Sequence, residues 1–156
     1  MNNGTDSTGG YLVLLVNCSS GNASIIDWQA NKVRRVVRST LAAETLSLCE
    51  GLEASIYLNG IMEELVGCTV DIHAFIDNRS AVDAIRSTTL VDDKRLRRDI
   101  SAVKQMLEKG EIKTVHWVPG EQQLADVLTK RGVNGYKLLE VIHEGKIDPK
   151  IVHKVG

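Results

Sequence analysis

The sequence predicts an α/β domain with a mixed β-sheet flanked by helices. Three observations lead there. The chain has 156 residues, enough for one domain around one core. Its hydrophobic content of 43% and charged content of 25% suit a globular protein. Short β-forming runs alternate with apolar residues at helical spacing, in the order strand, strand, helix, strand, helix, helix, strand, helix, helix.

Residues 1–10 are polar and Gly-rich and read as a loose segment. The apolar run at 11–17 reads as a strand. Cys18-Ser19-Ser20-Gly21-Asn22 reads as a turn, and 23–29 as the returning strand of a hairpin. A basic connection follows at 31–38, with Lys32, Arg34, Arg35 and Arg38. A long helix is expected over 40–65, because Leu41, Thr45, Leu48, Leu52, Ile56, Ile61 and Leu65 form a helical stripe. Ser39 or Thr40 can cap it, while Gly51 and Gly60 weaken it and allow a break near Asn59-Gly60.

The near-continuous apolar run at 70–76 predicts an interior strand covered on both faces. A short helix is expected at 80–86. A longer one at 92–109 is marked by Leu96, Ile100, Val103 and Leu107 and stopped by Gly110. A last strand at 112–118 ends at Pro119-Gly120. Helices at 122–130 and 137–144 follow, separated by a break at 132–135. His73 and His116 fall within strands and read as sheet residues.

Composition narrows the function classes. A net charge of −1 gives no global field to attract nucleic acid, so any such affinity must come from a local patch. Cys18, Cys49 and Cys68 are odd in number and far apart, which argues against a disulfide framework or a zinc site and for a reducing compartment. The first residues show no signal-peptide pattern. No apolar run approaches the ~20 residues of a membrane span. The expectation is an intracellular protein with no membrane partner. No Gly-rich phosphate loop is present.

Three carboxylates stand where charge is not the cheapest choice. Glu44 borders the apolar stripe of the long helix, within about 60° of Leu41 and Leu48 on a 3.6-residue period. Asp77 ends an apolar strand, where ligand sites of α/β sheets gather. Asp126 lies on the short helix after the last strand. Each also admits an ordinary role: a residue at the edge of a buried face, a helix cap, and an i,i+4 ion pair with Lys130. Acids from three elements that converge repel one another unless a cation sits among them, which points to Mg²⁺.

Taken in order, these segments resemble the ribonuclease H domain of copia-type retrotransposon Pol polyproteins, over roughly residues 6–130. Asp6-Ser7-Thr8-Gly9-Gly10-Tyr11 resembles the approach to that family's second strand. Trp28 with the basic stretch is similar to its Trp-x-x-Lys-Lys region. Ser39-Thr40-Leu41-Ala42-Ala43-Glu44 resembles its Ser-Thr-x-Ala-Glu segment, and Asp77-Asn78-Arg79-Ser80-Ala81 its Asp-Asn-x-Ser-Ala segment. Val118-Pro119 and Gln123-Leu124-Ala125-Asp126-Val127-Leu128-Thr129-Lys130 resemble its Val-Pro and Gln-x-Ala-Asp-x-Leu-Thr-Lys segments.

The resemblance implies an RNase H-like domain at 11–131, with a helix and tail at 132–156. It implies five strands in the spatial order 3-2-1-4-5. It also implies hydrolysis of the RNA strand of RNA–DNA hybrids during reverse transcription, by two Mg²⁺ (or Mn²⁺) ions roughly 3.5–4 Å apart. Glu44, Asp77 and Asp126 match the second, third and fourth catalytic, metal-binding acids. Ser39, Thr40, Asn78, Arg79, Lys94 and Arg95 are the candidate hybrid contacts. The family's Lys-His-x-Asp segment is only partly matched near Lys94, where Arg95 and Leu96 stand. The implied partners are the hybrid and the upstream reverse transcriptase domain. The implied setting is the cytoplasm, within virus-like particles, or the nucleus.

The family's first acid lies on its first, central strand, and residues 1–5 are too few to supply that strand. The chain therefore reads as N-terminally truncated. Either the hairpin moves inward to pair with 70–76, or a second molecule or upstream segment fills the gap. The alternative to an active nuclease is a catalytically impaired remnant or structural module that keeps the fold.

Overall fold

A computed structural model describes residues 8–32, 39–130 and 132–155. Residues 1–7 with Asp6, the basic residues Arg34, Arg35 and Arg38, and the 131 boundary lie outside the described residues.

β1 (Thr8–Val16) and β2 (Ala23–Lys32) form an antiparallel hairpin from Thr8↔Lys32 to Val16↔Ala23, with a register shift between Val13 and Leu14. The turn is set by Asn17, whose Oδ1 accepts from the Ser19 and Ser20 amides at 2.9 and 3.2 Å. Gly21 follows at φ 75°, a conformation glycine adopts without strain. Both strands run three residues further at the open end than the sequence predicts.

α1 (Thr40–Val66) begins at Ser39, whose hydroxyl oxygen accepts from the Ala42 amide at 3.2 Å, and ends at the left-handed Gly67. The expected break at Asn59-Gly60 does not occur. Gly60 faces open space, and the Asn59 side chain bonds both the amide and the carbonyl of Val70. The helix is straight-through because tertiary contacts outweigh glycine's weak propensity.

The apolar run at 70–76 becomes β3 (His73–Ile76). It is followed by α2 (Arg79–Arg86), capped by Asn78, and α3 (Lys94–Glu108), capped by Asp93. β4 (Thr114–Trp117) pairs with β3 in parallel, His73↔Thr114 to Ile76↔Trp117. The expected helix at 122–130 is split into a 3₁₀ turn at Gly120–Gln122 and a one-turn α4 (Asp126–Thr129). Gln123 is the reason. Its backbone is extended, its Nε2 donates to the Phe75 carbonyl at 3.0 Å, and its Oε1 accepts from the Ala125 amide.

α5 (Tyr136–Glu144) ends at the left-handed Gly145, and α6 (Pro149–Val152) follows a cap at Asp148. This last segment docks on the hairpin turn: the Ala23 amide donates to the Gly145 carbonyl at 2.7 Å, and the Ile147 amide to Gly21 at 3.0 Å.

The main core lies between α1, α2, α3 and one face of β3–β4. Leu52, Ala74, Ile76, Val82, Ile85, Leu96, Ile100 and Val103 meet there. A second stripe of α1, with Ala43, Ser47 and Gly51 buried, faces the hairpin. A Cβ on Gly51 would lie 2.9 Å from the Tyr11 Cβ, so glycine is what lets β1 approach the helix.

The strands form two separate two-stranded sheets, β1-β2 and β3-β4. The hairpin has not moved inward. Among the described residues the expected interior strand at 70–76 therefore has one strand neighbour, β4. Taking the first strand out of the implied order 3-2-1-4-5 leaves these same two pairs.

Candidate active site

β1, β3, α1, residues 122–130 and the segment around Ile151 line a half-open cavity of about 460 Å³. Glu44, Asp77 and Asp126 gather at one end of it. Glu44 projects from the second turn of α1, Asp77 follows the last residue of β3, and Asp126 opens α4. Three local devices aim them. Ser39 fixes where α1 starts. Trp117 donates from its indole to the Asp77 carbonyl at 3.2 Å, and Gln123 ties the loop before α4 to β3.

Lys130 binds the group together. Its ammonium lies 3.0 Å from Asp126 Oδ2 and 3.5 Å from Asp77 Oδ2. The side chains of Asp77 and Asp126 are only 13% and 14% exposed, against 49% for Lys130. The i,i+4 pair anticipated for Asp126 and Lys130 exists, but its acid is covered and shared with a second acid.

Electrostatics follow from this crowding. Burial lifts the Glu44 carboxyl above the usual glutamate range, and the negative Asp77 adds to it. Asn78 and Lys130 pull it back in part. Burial also lifts Asp126; the Lys130 hydrogen bond opposes that, and Asp77 reinforces it. Burial works against the charge on Lys130, but Asp126, Asp77 and Glu44 together outweigh it and raise its pKa.

Glu44 Oε2 is buried and has no hydrogen-bond partner. A buried carboxylate oxygen left bare is costly, and a cation is the ligand that would relieve it. All three donors are hard oxygens, the kind Mg²⁺ takes. They are the right kind but short of a closed cage. Among the described residues no three Asp, Glu, His or Cys side chains stand close enough together to hold an ion, and Lys130 occupies the cationic position.

The other candidates divide. Thr40 borders the same cavity, and Ser39 caps the helix beside it. Asn78 caps α2, with Oδ1 accepting from the Ala81 amide at 3.1 Å. The Arg79 guanidinium stacks over the Trp117 ring at 4.1 Å. Lys94 and Arg95 lie on the exposed start of α3, away from the cavity. Within that basic run, Arg97 and Lys104 staple the preceding loop through the carbonyls of Val91 and Ser87.

Sequence reasoning missed the Arg79–Trp117 stack and the tie from Gln123 to β3. Nothing in the spacing of those residues signals either contact. His73 and His116 stand on β3 and β4 as expected, joined through the Thr114 hydroxyl by two contacts of 2.7 Å.

No protein-family model matches the chain, and no curated protein sequence matches it. Solved structures do. One is RNase H1 from the halophilic archaeon Halobacterium salinarum NRC-1, with a TM-score of 0.56 and 18% identity, covering 78% of this chain and 90% of that one. Another is the N-terminal RNase H domain of a Mycobacterium tuberculosis protein, solved as a fusion with maltose-binding protein. Its TM-score is 0.52 at 14% identity, covering 89% and 92% of the two chains. At these identities the likeness is one of fold, and the chain has an RNase H-like α/β fold.

Proposed function

We propose that the chain is a metal-dependent endoribonuclease of the ribonuclease H type, hydrolysing the RNA strand of RNA–DNA hybrids. The observation that carries this is the convergence of Glu44, Asp77 and Asp126 from three separate elements at one end of a cleft, with Glu44 Oε2 bare. The fold of the RNase H neighbours supports it. Glu44, Asp77 and Asp126 would hold Mg²⁺ or Mn²⁺ only after closing further on the ion, since as they stand they do not form a three-ligand group. When bound, the ion supplies a water nucleophile and offsets charge on the leaving oxygen. The protein's part is to aim the acids; burial lifts Glu44 and Asp126, and Lys130 opposes that lift in part. Lys130 holds Asp77 and Asp126 in place, and its ammonium would have to give way for these two acids to hold a cation. Ser39, Thr40, Asn78 and Arg79 lie beside the acids as candidate contacts for the hybrid backbone; Lys94 and Arg95 are candidates for a more distant contact.

The motif order supports a role in copia-type reverse transcription, beside a reverse transcriptase domain; the setting that goes with that role is the cytoplasm, within virus-like particles, or the nucleus. A second reading has its own observation. With Lys130 already neutralising two of three acids, the chain is a catalytically impaired module that binds hybrids without cutting them. The two separate on a labelled RNA–DNA hybrid with Mg²⁺ or Mn²⁺. The enzyme cuts the RNA strand and spares a DNA duplex. The impaired module retards the hybrid in a gel and leaves it whole.

A further inference from the structure

The cations around β3 and β4 are used in different ways. Lys130 gives its ammonium to Asp126 and Asp77. Arg86, Arg97 and Lys104 donate to the carbonyls of Val115, Val91 and Ser87. Arg79, two residues beyond Asp77 at the exposed start of α2, makes no hydrogen bond or ion pair among the described residues. The contact it does make is with the Trp117 ring, whose centroid lies 4.1 Å from the guanidinium carbon. Stacking uses the flat face of a guanidinium and leaves the N–H donors in its plane unspent. The helix does not account for the residue either, because a positive charge in the first turn is opposed by the macrodipole.

Trp117 touches both ends of this segment. Its indole N–H donates to the Asp77 carbonyl at 3.2 Å, and its ring carries the Arg79 guanidinium. The ring is itself seated: Trp117 pairs with Ile76 across the β3–β4 ladder and packs against the core. One stiff side chain therefore fixes both where Asp77 leaves β3 and where the head of Arg79 lies.

We propose that Trp117 is a positioning residue for substrate: it holds Arg79 in register with Asp77, so that the guanidinium grips a backbone phosphate of the hybrid through two parallel hydrogen bonds. This rests on the hybrid-cleaving reading above. An arginine already ordered on a ring loses less freedom on binding than one that swings free. A lysine there would keep the charge and lose the planar fork.

The test is hybrid binding in chelator, so that affinity is read apart from cleavage, over a range of salt. The probes are a labelled mixed-sequence RNA–DNA hybrid and an oligo(rA)·oligo(dT) hybrid, which has no guanine. Arg79→Gln is expected to bind both about tenfold more weakly and to reduce the slope of log K against log salt by about one. Arg79→Lys is expected to keep the slope and still bind more weakly than the parent chain. Trp117→Phe keeps a ring on the core but gives a weaker stack and no N–H donor. It is expected to weaken binding about threefold at unchanged slope, and to add nothing in the Arg79→Gln background.

A loss from Trp117→Phe that is equal in both backgrounds overturns the proposal, because the tryptophan then acts through the fold and not through Arg79. So does Arg79→Gln with unchanged affinity and slope, which makes the arginine a mere cover for the ring. A loss confined to the mixed-sequence hybrid also overturns it, since the contact is then to a base. These three results leave the nuclease reading standing. A parent chain that binds neither hybrid overturns that reading and the proposal together.

Discussion

The Lys130 ammonium lies 3.0 Å from the Asp126 carboxylate and reaches past it to Asp77, so one cationic side chain holds together two acids from different elements. Its charge offsets part of theirs, as the charge of a divalent cation would.

Replacing it should expose that substitution. Lys130→Met leaves Asp77 and Asp126 facing each other unneutralised. Lys130 is half exposed, so solvent already screens the pair, and the expected loss without divalent ions is modest, about 0.5–1 kcal/mol. Thermal melts with and without Mg²⁺ check it. The Mg²⁺-dependent rise in Tm should be larger for the variant than for the parent chain.

Glu44 gives a pH signature. Its folded pKa is raised by burial and by Asp77, so the folded chain holds a proton that the unfolded chain releases. Stability should fall as pH rises from the ordinary glutamate range through the raised value. Asp126, also raised, adds to the same trend. Urea midpoints across that window, without metal, should show a smaller fall for Glu44→Gln. The same variant should lose at least about a hundredfold of any hybrid-cleaving rate, since it removes a proposed ligand outright.

His73 and His116 tilt the other way. Burial lowers both, and for His116 the neighbouring His73, Lys154 and Arg86 lower it further. Their contribution is fully present above the unfolded value of about 6.5 and is lost as pH falls through the lower folded values. The Thr114 hydroxyl has one proton, so it donates to one ring and accepts from the other, an arrangement that suits neutral imidazoles. NMR titration of the ring protons should place both midpoints below 6.5.

The glycines of α1 make a contrasting pair. Gly51→Val drives a branched side chain into Tyr11, 2.9 Å from where its Cβ would sit, and should cost about 1–3 kcal/mol. Gly60→Ala meets open space inside the same helix and should gain about 0.5–1 kcal/mol. Urea denaturation of the two variants measures both.

The contrast between these glycines shows what the sequence could carry. The start of α1 at Ser39, the Asn78 cap, the stop at Gly110 and the three acids are local features, and the chain states them locally. Gly60 reads as a breaker, yet Asn59 anchored to Val70 is a tertiary bond that no propensity contains. The small stripe Ala43, Ser47, Gly51 looks like a weak helix face until β1 packs on it. Helicity at 122–130 is overruled because Gln123 spends its side chain on β3. The start of α6 is a local signal too, Asp148 before Pro149, and it lies beyond the helix at 137–144 that the apolar spacing predicts. For the site, spacing implied that the acids meet. It did not show that Lys130 would stand among them, because an i,i+4 pair looks the same on a surface and in a cleft.

The most direct test of the proposed activity is the cleavage rate of an RNA–DNA hybrid by the chain and by Asp77→Asn, each with Mg²⁺ and with Mn²⁺, and with chelator as control. A catalytic Asp77 predicts RNA-strand cleavage that needs the divalent ion and falls by about a hundredfold or more in the variant. Equal rates for the two proteins, or cleavage that survives chelation, would contradict it.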